Sequence, residues 1–367
     1  MIFRIVVLPG DGIGPEVTRP AVAVLQAVSD VCGYDFQFET HRIGGVAIET
    51  DGRPLPERTL SACLEADAVL LGAVGSPKYA NATGELRPEV GLLALRQALG
   101  GYANLRPARA YDAILDCSPL REDVIKGADI LIVRELLGGL YFAQPRGFEK
   151  EGLSAFNTMR YDVDEIQRVA HVAFREARRR RKLVTSVDKA NILETSQLWR
   201  KTVTKVAEQY PDVKLEHGYV DSFAMQLVTT PTRFDVVLTE NLFGDVLSDE
   251  AAVVSGSLGM LASASIGGRV GLYEPVHGSA PDIAGKGIAN PYGAIQSAAL
   301  LLRHSAGLDV EADKIQQIVH RALNRGLVTP DLAGRQKRAT VTTDEIGKYV
   351  VENVTDLLQM HMSYHAV

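Results

Sequence analysis

Apolar runs of strand length alternate with segments of helical period along most of the chain, and this alternation constrains the fold more than any other feature. "FRIVVLPG" leads into "GPEVTRPAVAVLQAVSDVCG", and the helical "ERTLSACLEA" leads into "ADAVLLGAVG". "ADILIVREL", "KLVTSVDKA" followed by "ILETSQLWRKTVTKVAEQY", and "FDVVLT" followed by "NLFGDVLSDE" continue the series. Such a chain is expected to fold as α/β layers around a largely parallel or mixed sheet, with ligands in the loops at the carboxyl ends of the strands. The stretch "GGLYFAQPRGFEKEG", residues 138 to 152, interrupts the pattern with glycine, proline and aromatic residues, and reads as an arm or hairpin that packs on another subunit.

The 367 residues suffice for about two domains, and 46% hydrophobic residues can form a sizeable core. Lysine and arginine number 39 against 45 aspartate and glutamate, a net charge of −6, which provides no general attraction to nucleic acid or to an anionic membrane. A small-molecule partner is expected instead. The five cations of "ARRRRK", 177 to 182, are placed at a helix end, where they face the negative end of its dipole. No window reaches the roughly eighteen apolar residues of a membrane span, and "MIFRIVVLPG" reads as a first strand, not a secretory leader. Cys32, Cys63 and Cys117, odd in number and widely spaced, fit reduced thiols in a cytoplasmic protein.

Gly10, Gly12 and Gly14 lie between a strand and a helix, but Pro15 stands where the third glycine of a dinucleotide fingerprint belongs, so the motif reads as a tight turn with Pro15 opening the helix. Arg96, Arg106 and Arg134 are each either a structural ion-pair member or part of a clamp for carboxylates, which the planar guanidinium binds in a bidentate manner. Lys189 follows a strand, where it is either a base or a solvated turn residue; Tyr141, in a glycine-rich loop, either donates a proton or packs. Asp221 opens the helical "DSFAMQLV" and reads as an N-cap or a ligand.

Asp245 and Asp249 are four residues apart; on a helix their Cβ atoms lie about 5 to 6 Å from each other, and the neighbouring Val246, Leu247, Ala251 and Ala252 predict that this helix is largely buried. Two carboxylates so placed call for a shared cation, and Asp221, Asp245 and Asp249 make an oxygen-only set suited to Mg²⁺ or Mn²⁺. "EPVHGSAPDIAGKGIANP", 274 to 291, describes an ordered loop that approaches a ligand closely; Asp282 there would accept hydrogen bonds from a ribose and repel a 2′-phosphate, favouring NAD over NADP.

Taken together, "LPGDGIGPEV", "LRPEVGLLALRQALGGYANLRPAR", "IVRELLGGLYF", "SVDKANILETSQLWR", "VDSFAMQLV", "NLFGDVLSDEAA", "GSLGMLASAS" and "EPVHGSAPDIAGKGIANP" resemble the metal-dependent decarboxylating dehydrogenases of the isocitrate/isopropylmalate family, up to about residue 305. The resemblance implies a two-domain, non-Rossmann α/β fold, with a discontinuous NAD-binding domain over 1–101 plus 256–367, a central domain over 102–255, and a dimerisation arm at about 136–160. It further implies a homodimer with shared active sites, in which Arg96, Arg106 and Arg134 clamp the carboxylates and Tyr141 is the general acid. Asp245 and Asp249 would bind Mg²⁺ or Mn²⁺ together with Asp221 of the other chain, which also supplies Lys189. Glu274, His277, Gly278, Ser279, Ala280, Asp282 and Asn290 would line the NAD site. Glu89, Leu92 and Leu93 would set the choice among 2-hydroxy dicarboxylic acids, the two leucines offering an apolar wall for an isopropyl group. The implied reaction is NAD-linked oxidative decarboxylation of 3-isopropylmalate in leucine biosynthesis, with D-malate, tartrate and homoisocitrate as alternative substrates.

Overall fold

Strand Ala68–Ala73 carries no polar side chain, and all of it is buried. A strand apolar on both faces belongs inside a sheet covered on both sides. In the computed structural model, which describes residues 2–82 and 84–365, it has that place. The chain divides into two compact units, Met1–Gly101 with Tyr111–Ser118 and Ser255–Val367, and Tyr102–Ala110 with Pro119–Val254.

In the first unit the strands run in the order Asp35–Thr40, Ile2–Gly10, Ala68–Ala73, Gly271–Pro275 and Ala262–Ile266, parallel except for the last pair. Helix Gly14–Cys32 begins with Pro15 in its first turn and ends at Gly33, whose left-handed φ of 71° lets its N–H reach the Ser29 carbonyl. It packs on helices Tyr292–Leu301 and Thr343–His365. Every residue of Tyr292–Leu301 except Gln296 is buried, and the helix continues into a π-helical turn, Leu302–Ala306. Val6, Leu8, Ile43, Val69, Leu71, Leu95 and Leu272 form part of the core on one face of this sheet.

The second unit orders its strands Ala103–Arg109, Asp129–Glu135, Val236–Thr239, Leu183–Asp188 and Lys214–Tyr219, with only the first pair antiparallel. Ile130, Ile132, Val187, Phe223, Phe234, Val237 and Leu247 belong to its core. The interruption noted in the sequence is a small antiparallel hairpin of Gly147–Glu149 with Ser154–Phe156, which holds Phe148 and Leu153 at 82% and 89% exposure.

The arginine run does more than end a helix. Arg180 donates to the fully buried Asp235 (Nε to Oδ1, 2.8 Å) and to Asp129 (Nη2 to Oδ1, 2.7 Å), and Arg178 pairs with Asp212. The buried carboxylate of Asp235, just before a strand, needs a cation, and this run supplies it. The three cysteines are free thiols. Among the described residues, no helix is long and apolar enough to cross a membrane.

Candidate active site

Helix Asn241–Ala252 follows strand Val236–Thr239 directly and is capped by the Glu240 side chain, which accepts from Leu242 N (3.0 Å) and Phe243 N (2.6 Å). Its buried residues are Asn241, Gly244, Leu247, Ser248 and Ala251, a spacing of three and four that sinks one face only. The expectation of a largely buried helix is therefore corrected: Val246 is 61% exposed, and the side chain of Asp249 is 68% exposed.

Both aspartates are neutralised by arginines. Asp245 accepts from Arg134 Nη1 and from the Tyr141 phenol (2.9 Å), with Arg106 Nη2 at 3.8 Å. Asp249 accepts from Arg106 Nη1 at 3.3 Å, and the same nitrogen donates to Ser248 Oγ at 2.7 Å. Burial, and then the bond to Asp245, raises the Tyr141 pKa and keeps the phenol protonated, the form a proton donor needs.

Two features let Arg134 lie so close. Strand register sets it opposite Thr239, just before the helix, and Gly244 leaves room: a Cβ there would stand 2.6 Å from Arg134 Cγ and 2.3 Å from Thr239 Oγ1. Asn241 holds the guanidinium from the other side, its Oδ1 accepting from Nε (3.1 Å) and Nη2 (2.7 Å).

Lys189 stands just past strand Leu183–Asp188, with Nζ 2.9 Å from Asp221 Oδ2. Asp221 lies in the first turn of helix Val220–Thr229, whose N-cap is Tyr219, so the N-cap reading is not the observed one; the bond from Lys189 lowers its pKa. Next to Lys189, the buried Asp188 accepts from Arg200 Nε (2.9 Å) and Nη2 (2.8 Å) and from Ala190 N (2.9 Å), which fixes the turn carrying the lysine. Within one chain, no three His, Cys, Asp or Glu residues among those described come together as a metal site, so Asp221 does not join Asp245 and Asp249 there.

In the first unit, Arg96 of helix Pro88–Leu99 donates from Nε (3.1 Å) and Nη2 (2.5 Å) to Glu274, a buried carboxylate on strand Gly271–Pro275. Two residues expected to serve different ligands are thus one ion pair. Leu92 packs against the core and Leu93 is exposed, so only Leu93 of the pair offers an uncommitted apolar face; Glu89 is also exposed.

The loop after Glu274 is shaped from the N-terminal turn. Ile13 N donates to the Ser279 carbonyl (2.8 Å), and a Cβ on Gly12 would lie 2.0 Å from that oxygen. Asp11, which the sequence reading passed over, accepts from Gly45 N (2.8 Å), Val46 N (2.8 Å) and Gly75 N (2.9 Å). At each of Gly10, Gly12 and Gly14 a Cβ would lie 1.9 to 2.0 Å from a backbone oxygen, so these glycines allow close approach of backbone to backbone. Ala280 takes a positive φ of 37°, and open space surrounds the Cβ position of Gly278.

Burial lowers the His277 pKa and so favours the neutral ring; Nδ1 donates to the Gly278 carbonyl at 2.9 Å, which leaves Nε2 as an acceptor, buried and without a partner among the described residues. Asp282 is exposed with no hydrogen-bond partner among the described residues, whereas Asn290 is buried, donating to Asp331 (2.9 Å) and accepting from Tyr292 N (2.9 Å). Asp11, Asp188 and Asn241 lie inside stretches already singled out in the sequence but had no role assigned there, and Asp331 lies outside all of them.

An α/β fold bearing this acid, arginine, tyrosine and lysine set describes a class of enzymes acting on hydroxy acids. The family model described as isocitrate/isopropylmalate dehydrogenase matches residues 4–350, and the chain belongs to that family. The 3-isopropylmalate dehydrogenase of Salinibacter ruber is 57% identical over 354 residues, covering 96% of each chain. That of Wolinella succinogenes is 53% identical over 348 residues, covering 95% of this chain and 97% of the other. Among solved structures, isocitrate dehydrogenase from Methylococcus capsulatus superposes with a TM-score of 0.83 at 38% identity, over 96% of this chain and 99% of that one.

Proposed function

We propose that this protein oxidises and decarboxylates 3-isopropylmalate with reduction of NAD, in leucine biosynthesis. The observation that carries the reading is the Asp245 carboxylate, which gathers Arg134, Arg106 and Tyr141 on one helix face in a chain more than half identical to 3-isopropylmalate dehydrogenases. Arg96, Arg106 and Arg134 bind the two substrate carboxylates, and Leu93, with Glu89 nearby in sequence, faces the branch.

The donor chemistry fits a hard divalent ion. Asp245 and Asp249 offer oxygen only, and Asp249 is largely open to solvent. Asp221 of a second copy would complete the set with Asp245 and Asp249, and an ion held there, Mg²⁺ or Mn²⁺, would supply Lewis acidity to substrate oxygens. Glu274, His277, Gly278, Ser279, Ala280, Asp282 and Asn290 would hold NAD, which would supply the hydride-accepting chemistry. The unpartnered His277 Nε2 suits an N–H donor of the cofactor, and the uncommitted Asp282 carboxylate suits ribose hydroxyls. Lys189 accepts the hydroxyl proton during oxidation. Tyr141, kept protonated, gives its proton to the carbon that carried the lost carboxylate. Asn290, held by Asp331 and Tyr292, acts through the backbone it fixes.

A homodimer follows from the same reading, supported by the exposed Phe148 and Leu153 of the hairpin and by Ile192, Met225 and Val246 elsewhere in the second unit. A cytoplasmic location is expected for an enzyme with three free thiols.

Steady-state oxidation of 3-isopropylmalate, D-malate, tartrate, homoisocitrate and isocitrate, each with NAD and Mn²⁺, tests the reading. Burial of the branch predicts that kcat/KM favours 3-isopropylmalate over D-malate by about tenfold or more. Equal values for the two would refute the substrate assignment. EDTA should abolish turnover and Mn²⁺ restore it.

A further inference from the structure

Asn241 has no place in the scheme above, yet it is fully buried and every hydrogen-bonding position of its amide is used. Oδ1 accepts twice from Arg134, as described. Nδ2 donates to the carbonyls of Leu136 (3.1 Å) and Gly138 (3.0 Å), on the loop that leads to Tyr141. The orientation is fixed chemically, since a flipped amide would set its NH₂ against a guanidinium and its oxygen against two carbonyls.

The same loop is gripped from its other edge by Glu135, which accepts from Leu137 N (3.0 Å) and Gly138 N (2.8 Å). Tyr161 lies against it so tightly that a Cβ on Gly139 would be 2.2 Å from the phenol oxygen, and that oxygen accepts from Asn241 N at 3.0 Å. Only a neutral amide can accept from a cation on one side and donate to two carbonyls on the other; a carboxylate or a hydroxyl cannot do both.

We propose that Asn241 is a positioning residue that sets the substrate-binding Arg134 and the proton donor Tyr141 in a common register, so that one side chain governs both recognition and the protonation step. The inference rests on the roles proposed above for Arg134 and Tyr141.

Asn241→Asp separates the two duties, because it keeps an acceptor for Arg134 and loses both donors to the loop. The KM for 3-isopropylmalate should stay within about threefold, while kcat falls about tenfold or more. In a Tyr141→Phe background the same substitution should lower kcat by less than about twofold, since the residue through which it acts is already absent. An unchanged kcat, or an equal loss in both backgrounds, would overturn the proposal. Asn241→Ala removes the acceptor as well and should raise KM in addition to lowering kcat; it also serves if the aspartate variant does not fold.

Hydrogen exchange at the amides of residues 137 to 142 gives a readout independent of turnover. It should quicken about tenfold in either variant relative to wild type, and unchanged protection would rule out the anchor. Failure of wild-type protein to oxidise 3-isopropylmalate would defeat the functional reading alone, with exchange still deciding whether Asn241 holds the loop.

Discussion

The face of helix Asn241–Ala252 and the loop from Glu274 to Asn290 meet the same requirement, polar groups ready for a ligand, in opposite ways. On the helix, Asp245 is engaged on both oxygens by Arg134 and Tyr141, and Asp249 on one by Arg106. A ligand there must exchange partners that already satisfy one another. On the loop, His277 Nε2 is buried with no partner among the described residues and Asp282 has none among them either, while the backbone is held by the turn at Gly12 and Ile13. A ligand there fills empty positions. Charged groups brought together need counter-charges at once to avoid repulsion and desolvation cost, whereas one neutral acceptor left open costs about 1 to 3 kcal/mol and can be tolerated.

The largest expected effect breaks the ion-paired face. Arg134→Ala leaves Asp245 and the Asn241 carbonyl without their main donor and removes a substrate contact; kcat/KM should fall about a thousandfold, or about 4 kcal/mol. A loss below tenfold in steady-state assays would mean that the arginine is only an ion-pair partner.

Gly12→Ala tests whether the loop depends on its backbone support. The new Cβ meets the Ser279 carbonyl oxygen at 2.0 Å, at a residue whose φ is 56°. The expected cost is about 2 to 3 kcal/mol of stability, by chemical denaturation, with KM rising for NAD and unchanged for the hydroxy acid. A parallel rise in both KM values would show that the turn does not act through this loop.

Glu135 sharpens the comparison from the strand end that grips the loop leading to Tyr141. Burial pushes its pKa up to about 6 from the ordinary 4.5, against the opposing bonds from Leu137 N and Gly138 N and the nearby Arg168. The folded state therefore binds this proton more tightly than the unfolded one, and the contribution of Glu135 to stability falls as pH rises from 4.5 to 6, by about 2 kcal/mol in total, then levels off. Glu135→Gln should flatten that part of the denaturation profile; an unaltered slope would assign it to other groups.

The smallest effect belongs to the open end of the loop. Asp282→Asn should shift the ratio of kcat/KM for NAD over NADP by about tenfold toward NADP, or about 1.4 kcal/mol, and an unchanged ratio would remove the residue from cofactor choice.

Much of this architecture is legible in the sequence, because buried strands and amphipathic helices differ in period. The exceptions are instructive. Strands Asp35–Thr40, "DFQFET", and Lys214–Tyr219, "KLEHGY", each lie at the end of their unit's strand order and are only partly buried, so they lack the apolar run that marks an inner strand such as Ala68–Ala73. The spacing of Asp245 and Asp249 was sufficient to place both on one helix, but not to show what neutralises them. Arg134 and Arg106 precede Asp245 by more than a hundred residues, and strand register brings them to it. Likewise the failed fingerprint at Gly10, Gly12 and Gly14 excluded a phosphate turn without disclosing that Asp11 gathers three distant amides.

Helix Tyr292–Leu301 carries a consequence for how this protein can change. With Gln296 alone not fully enclosed, and a Cβ on Gly293 destined to lie 2.8 Å from the Leu261 carbonyl oxygen, nearly any enlargement or polar replacement there has nowhere to go. A saturation library across the chain should find its lowest tolerance in those ten positions, and natural drift or laboratory adaptation to heat will have to proceed through the outer helices instead.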